Sequence, residues 1–176
     1  LHLLTQINHP HAFLTLKYFW QHGNKEVQLG LFAEGWLHFK QPEAMDLIQE
    51  GLASKQPGMK DAALKSIAQL SFPSALEGLV TLANSRPEPD IQKACYLSMA
   101  KMGTDAATDY LLDTLRTQSG EISDFILEAL TEHAQEKMLS ALDRNIPMES
   151  NLEIKEQITQ LTEHIRMARR RKMERR

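Results

Sequence analysis

Residues 59–83, MKDAALKSIAQLSFPSALEGLVTLA, decide how this chain is built. Met59, Ala63, Ile67 and Leu70 fall at i, i+4, i+8 and i+11, the spacing of one helical face. Ser71-Phe72-Pro73 breaks the run, and Pro73 suits the first position of a new helix, where no amide donor is needed. Ala75, Leu79 and Ala83 carry that second helix, supported by Leu76 and Leu82. Residues 91–115, IQKACYLSMAKMGTDAATDYLLDTL, repeat the scheme: Ile91, Cys95, Met99 and Met102, a turn at Gly103, then Ala107, Leu111 and Leu115. Ile122, Ile126 and Leu130, followed by Met138 and Leu142, repeat it again.

The beat extends over most of the chain. Pro10, Pro42, Pro73, Asp105 and Glu136 stand at equivalent points, separated by 32, 31, 32 and 31 residues. After them come Ala12, Ala44, Ala75, Ala107 and Met138; then Leu16, Ile48, Leu79, Leu111 and Leu142; then Trp20, Leu52, Ala83, Leu115 and Ile146. A fixed period of this length marks a stacked repeat, in which each helix pair buries its apolar face against its neighbours. Turn formers separate the pairs at Gly23-Asn24, Gln56-Pro57-Gly58, Arg86-Pro87-Glu88-Pro89 and Gln118-Ser119-Gly120. Strand signals are essentially absent, so the predicted fold class is all-α, an α-solenoid of about 4.5 helix-pair repeats closed by a C-terminal capping helix. The predicted boundaries are a truncated first repeat at 1–22, then 24–55, 57–85, 88–117 and 119–146. Together they make an array over 1–148, with the capping helix and a basic tail at 149–176.

The second repeat is irregular. Counted back from Pro42 its inner positions are Phe32, Trp36 and Phe39; counted from Val27 they are Leu31 and Gly35. Glycine in mid-helix costs about 1 kcal/mol against alanine, which favours the register that turns Gly35 away from the core. Seven of the eleven aromatic residues lie in the first 39 positions, either as a bulky core or as an apolar end face. At the other end, Ser150-Asn151-Leu152-Glu153 fits a capping box between Ser150 and Glu153. Ile154, Ile158, Leu161 and Ile165 then form the narrow stripe expected of a terminal helix with a polar outer face.

Bulk properties narrow the function classes. Hydrophobic residues at 42% and charged residues at 24% describe an ordinary soluble chain, with no run near the roughly 18 apolar residues that cross a bilayer. The single cysteine, Cys95, excludes a disulfide framework or a cysteine-rich metal site and is expected to be buried. The chain starts at Leu1 in mid-repeat, which suggests the C-terminal domain of a larger cytoplasmic bacterial protein, whose N-terminal portion would be one partner.

These helix pairs resemble HEAT repeats, in particular the short bacterial, phycobilisome-lyase-like form. The resemblance rests on an apolar residue, Ala or Cys four on, an apolar residue four on again, a Gly or Pro turn, and an Ala-x-x-x-Leu-x-x-x-Leu second helix, over about residues 1–146. It implies a binding scaffold whose second helices line a concave surface; bilin lyases and base-excision glycosylases are a minority of the fold. The arginine positions of the family's pattern hold Gln28, Lys60, Gln92 and Ser123, and only Asp90 stands near an aspartate site, which predicts a thin polar ladder between repeats.

On the implied concave face lie Asp46, Glu77 and Asp109, one per repeat, with Glu50 and Asp113 a turn further on. Such a line would focus negative potential and favour a basic peptide or protein surface, although solvated helix faces are charged in any case. It also disfavours nucleic acid there, because phosphate binding needs Lys or Arg. The tail has the opposite sign. Arg166, Arg169, Arg170, Arg171, Lys172, Arg175 and Arg176 oppose only Glu174, giving +6 over eleven residues, so the remainder carries −9 of the total −3. A cluster of this kind suits an anionic lipid, a nucleic acid or an acidic partner, or simply complements a helix C-terminus.

No catalytic constellation is evident. His9-Pro10-His11 lacks a third ligand, His133 falls in the packing place of Leu70 and Met102, and neither a Gly-x-Ser-x-Gly turn nor a phosphate-binding glycine loop occurs. The expected function is therefore a noncatalytic protein–protein interaction scaffold with no cofactor and no metal. The alternatives are a membrane-surface or nucleic-acid adaptor acting through the tail, and an enzyme of HEAT fold such as a bilin lyase.

Overall fold

The computed structural model describes residues 10–34 and 43–174. His9, Gly35, Trp36, Phe39, Pro42, Arg175 and Arg176 lie outside them, as do the side chains of Pro10 and Ala44. Among the described residues there are ten α-helices and no strand. They are α1 (Pro10–His22), α2 (Lys25–Glu34), α3 (Glu43–Ala53), α4 (Met59–Ile67), α5 (Leu76–Ser85), α6 (Pro89–Met102), α7 (Asp105–Thr117), α8 (Glu121–Glu132), α9 (Leu139–Asn145) and α10 (Leu152–Glu174). Short 3-10 turns lead into α5 and α9 at Pro73–Ala75 and Glu136–Met138. The fold class is all-α, of the α-solenoid type. None of the described helices is long and apolar enough to cross a membrane.

The chain forms two compact units, Leu1–Cys95 and Tyr96–Arg176, with the division falling inside α6. In the N-terminal unit α1 packs on α2, and α4 packs on both α2 and α3. Its core contains the predicted face of α4, Met59, Ala63 and Ile67, followed by Leu70, with Leu16, Ile48, Leu79 and Ala83 from the second helices. Leu76 is only half-buried. Leu31 and Phe32 are both buried, so the helix turns two adjacent residues inward where the sequence offered one or the other. Phe32 organises this region. Its ring meets Trp20 edge-on at a centroid distance of 5.1 Å and lies where a Cβ on Gly51 would stand. Its carbonyl accepts a 2.6 Å hydrogen bond from the buried Ser66 hydroxyl. Phe13 and Trp20 join this core, whereas Leu14, Tyr18 and Phe19 on α1 are exposed.

In the C-terminal unit α7 packs on α8 and α9, and α9 on α10. Met99, Met102, Leu111, Leu115, Ile126, Leu130, Met138 and Leu142 are buried, with Ile158, Leu161 and Ile165 from α10. Ile122, Ile146 and Ile154 are half-buried. Gly103 has φ +57° beneath Gln135 and Met138, whose side chains come within 3.0 Å of where a Cβ would sit. The turn before α7 therefore needs glycine for both conformation and space.

The start of α10 departs from expectation. The cap is Asn151, not Ser150: its Oδ1 accepts from the amides of Glu153 (3.0 Å) and Ile154 (3.4 Å). Ser150 stands one residue too early for a helix that begins at Leu152. Glu149 Oε1 accepts the Asn151 amide at 2.9 Å, which is the task a capping box would give to Glu153.

Candidate functional site

The second helices position the five predicted carboxylates, and their surroundings separate them into two groups. In the N-terminal unit Asp46 on α3 and Glu77 on α5 are exposed. Met45 and Gly78, their chain neighbours, come together where α3 meets α5: the Met45 Cγ lies 3.0 Å from the place of a Cβ on Gly78. Neither Asp46 nor Glu77 forms an ion pair or hydrogen bond among the described residues. Glu50 is committed, because its Oε2 accepts a 2.7 Å hydrogen bond from the Trp20 indole.

The carboxylates of the C-terminal unit are engaged within the chain. Asp109 accepts from Arg144 Nη2 and from Asn145 Nδ2, each at 2.7 Å. Asp105 stands 3.7 Å from the same arginine. The hydrogen bond and the charge of Asp109 strengthen the hold of Arg144 on its proton, with Asp105 adding to the effect. Asp113 pairs with Arg116. The guanidinium of Arg116 also donates to Asn145 Oδ1 at 2.8 Å and to Glu149 Oε2 at 3.2 Å. Asn145 thus bridges the two arginine sites, its amide donating also to Ala141 O. The charges of α7 are balanced by cations from α7 itself and α9, and the buried anchor of the network is Glu149.

The predicted polar ladder exists in part. Lys60 Nζ lies 2.9 Å from Asp90 Oδ2; that hydrogen bond holds the Asp90 carboxyl below the usual carboxylate range and raises Lys60. At two other arginine positions the glutamines do something different. Gln28 donates to Trp20 O and Gln92 to Ala83 O, each filling a carbonyl near the end of the preceding second helix.

The tail is helical through Glu174. Arg166 donates to both oxygens of Asp143 at 2.7 and 2.8 Å, and Arg169 lies 3.7 Å from Glu136. Arg170, Arg171 and Lys172 are exposed and form no ion pair among the described residues. His133 is half-buried, 3.9 Å from Glu132. Burial pushes the Cys95 thiol up to about 12. No group of three or more His, Cys, Asp or Glu that could hold a metal occurs among the described residues.

The sequence missed Arg116, Arg144, Asn145 and Glu149 as partners of the acidic row. Their bonds span 29 to 36 residues. The bonds from Trp20 to Glu50 and from Ser66 to Phe32 span 30 and 34. One repeat length plus or minus one helical turn is the signal that could have found them.

The family model for HEAT repeats matches residues 45–131, from α3 to α8. This segment is a HEAT-repeat array. HEAT repeats generally mediate protein–protein interaction and are typically non-enzymatic scaffolds. No curated protein matches the chain.

Proposed function

We propose that this HEAT-repeat chain is a noncatalytic interaction module whose second-helix face takes a basic peptide or protein surface. One observation carries the reading: Asp46 and Glu77 sit exposed on two helices in contact, with no ion pair to a cation among the described residues. Two such carboxylates on neighbouring helices attract Lys or Arg. Asp109 and Asp113, already paired with Arg144 and Arg116, would bind a cation only by exchanging those arginines for it. The test is binding of a basic partner captured from source lysate to the parent chain, to D46A/E77A and to D109A. Loss with D46A/E77A, little change with D109A, and unaltered helicity support the reading. Undiminished binding by D46A/E77A removes it.

A second reading rests on the free cations Arg170, Arg171 and Lys172: contact with an anionic lipid surface or a nucleic acid through the tail. It requires binding that falls steeply with salt and disappears when residues 166–176 are removed.

A further inference from the structure

A depression runs between α8 and α10 on the first-helix side of the C-terminal unit. Its middle holds about 520 Å³ over a floor of Leu127 and Leu161, between Glu128 and Thr131 on one rim and Gln157 and His164 on the other. Past Leu127 and Gln157 it continues toward Ser123, Asp124 and Ile154. Past Gln160 and His164 it continues to Met167, Ala168 and Arg171. Charge is distributed unevenly along it. Asp124, Glu128 and Glu132, at i, i+4 and i+8, place three exposed carboxylates along α8. At the far end Arg171 shares a helix face with Gln160, His164 and Met167, flanked by Arg170 and Lys172, and Glu163 is a carboxylate on the same lining. Between the two ends Met167 is 51% exposed.

A face with acids in excess at one end, bases in excess at the other and an exposed apolar side chain between them complements itself under a two-fold axis. We propose that a second copy of this chain covers it, the two α10 helices antiparallel. Arg171 of each copy, supported by Arg170 and Lys172, meets Glu132 and Glu128 of the other, and the two Met167 side chains meet near the axis. Other occupants fit less of the face. A basic helix would leave the arginine end facing like charge, and an anionic membrane or nucleic acid would meet the three α8 carboxylates. The 23 residues of α10 span about 35 Å, so two such faces make a contact at the small end of stable interfaces. The dimer is accordingly reversible and sensitive to salt.

Sedimentation velocity on the full chain tests this, from about 5 to 200 μM protein in about 50 and 500 mM NaCl. Expected is a monomer–dimer equilibrium weakened about tenfold or more by the higher salt. E128K/E132K and R170E/R171E, all at exposed positions, should each weaken self-association by about tenfold or more. Mixed together they should form a heterodimer, because both contacts regain opposite charges. M167K should weaken the parent dimer as well. A chain that stays monomeric throughout, a dimer indifferent to the charge reversals, or reversed variants that fail to pair while retaining parental circular dichroism would overturn the proposal. This surface is separate from Asp46 and Glu77, so D46A/E77A should leave the dimer intact whether or not the second-helix face binds a basic partner.

Discussion

Replacing Glu149 by alanine tests the polar network that replaces a free acidic row in the C-terminal unit. The Glu149 side chain is only 3% exposed and makes two bonds, to Arg116 Nε and to the Asn151 amide that starts α10. The first is charge-assisted and worth about 1.5–3 kcal/mol in net terms. Removing a fully buried partner costs about 3–5 kcal/mol, but the Arg116 side chain keeps 26% exposure and retains Asp113 and Asn145, so the lower range applies. The Asn151 amide lies in an exposed residue where water replaces the lost acceptor, adding little. Glu149→Ala should therefore lose about 2–3 kcal/mol, and Glu149→Gln about half of that. Arg116→Ala should cost more than Glu149→Ala, because it leaves a buried carboxylate without its cation. The assay is urea unfolding followed at 222 nm for both single variants and the double variant. The double should cost less than the sum by about 1–3 kcal/mol. Additive losses, or a Glu149→Ala change below about 0.5 kcal/mol, would refute the account of this network.

Three further outcomes can be checked in the same way. Thr108 is buried with its hydroxyl lacking a hydrogen-bond partner among the described residues, so Thr108→Val should raise stability by about 1 kcal/mol, and a loss of that size would contradict the geometry. Gly51→Ala places a Cβ in the ring of fully buried Phe32; overpacking of about 1–3 kcal/mol outweighs the helix propensity gained, and urea unfolding should show net destabilisation. Cys95 should resist a thiol reagent in the native state at pH 8 and react at once in denaturant, and prompt native labelling would show the thiol to be accessible. Its folded pKa exceeds the unfolded one, so its contribution is full below the unfolded thiol value and is lost as pH rises from there toward about 12.

The apolar grid was legible because helix burial is periodic. Met59, Ala63, Ile67 and Leu70 could be assigned to one side from spacing alone, and they are buried together. Around Phe32 the preferred register placed Phe32 inward, and it is buried, but Leu31 of the other register is buried too. A ring that fits over a glycine on the next helix is rewarded by packing, and packing let Leu31 and Phe32 both turn inward. The cap of α10 was missed by one residue for a related reason: a capping pattern names residue types, while the buried Glu149 carboxylate fixes which amide is already satisfied. Gln28 and Gln92 looked like gaps in a charge ladder, yet each is long enough to reach a free helix-end carbonyl.

The sequence by itself determined the all-α class, the helix pairs and the inward residues, because period and turn chemistry act locally and repeat. Only the tertiary structure decided which charges remain available to a partner. Asp46, Glu77, Asp109 and Asp113 look equivalent along the chain, but among the described residues Arg144, Asn145 and Arg116 engage only the last two. The difference arises because the Asp109 partners come from the following repeat, about one turn off the register, at separations that a residue pattern does not weigh. Charge availability is a pairwise property of folded neighbours, whereas burial follows from the period of a single helix.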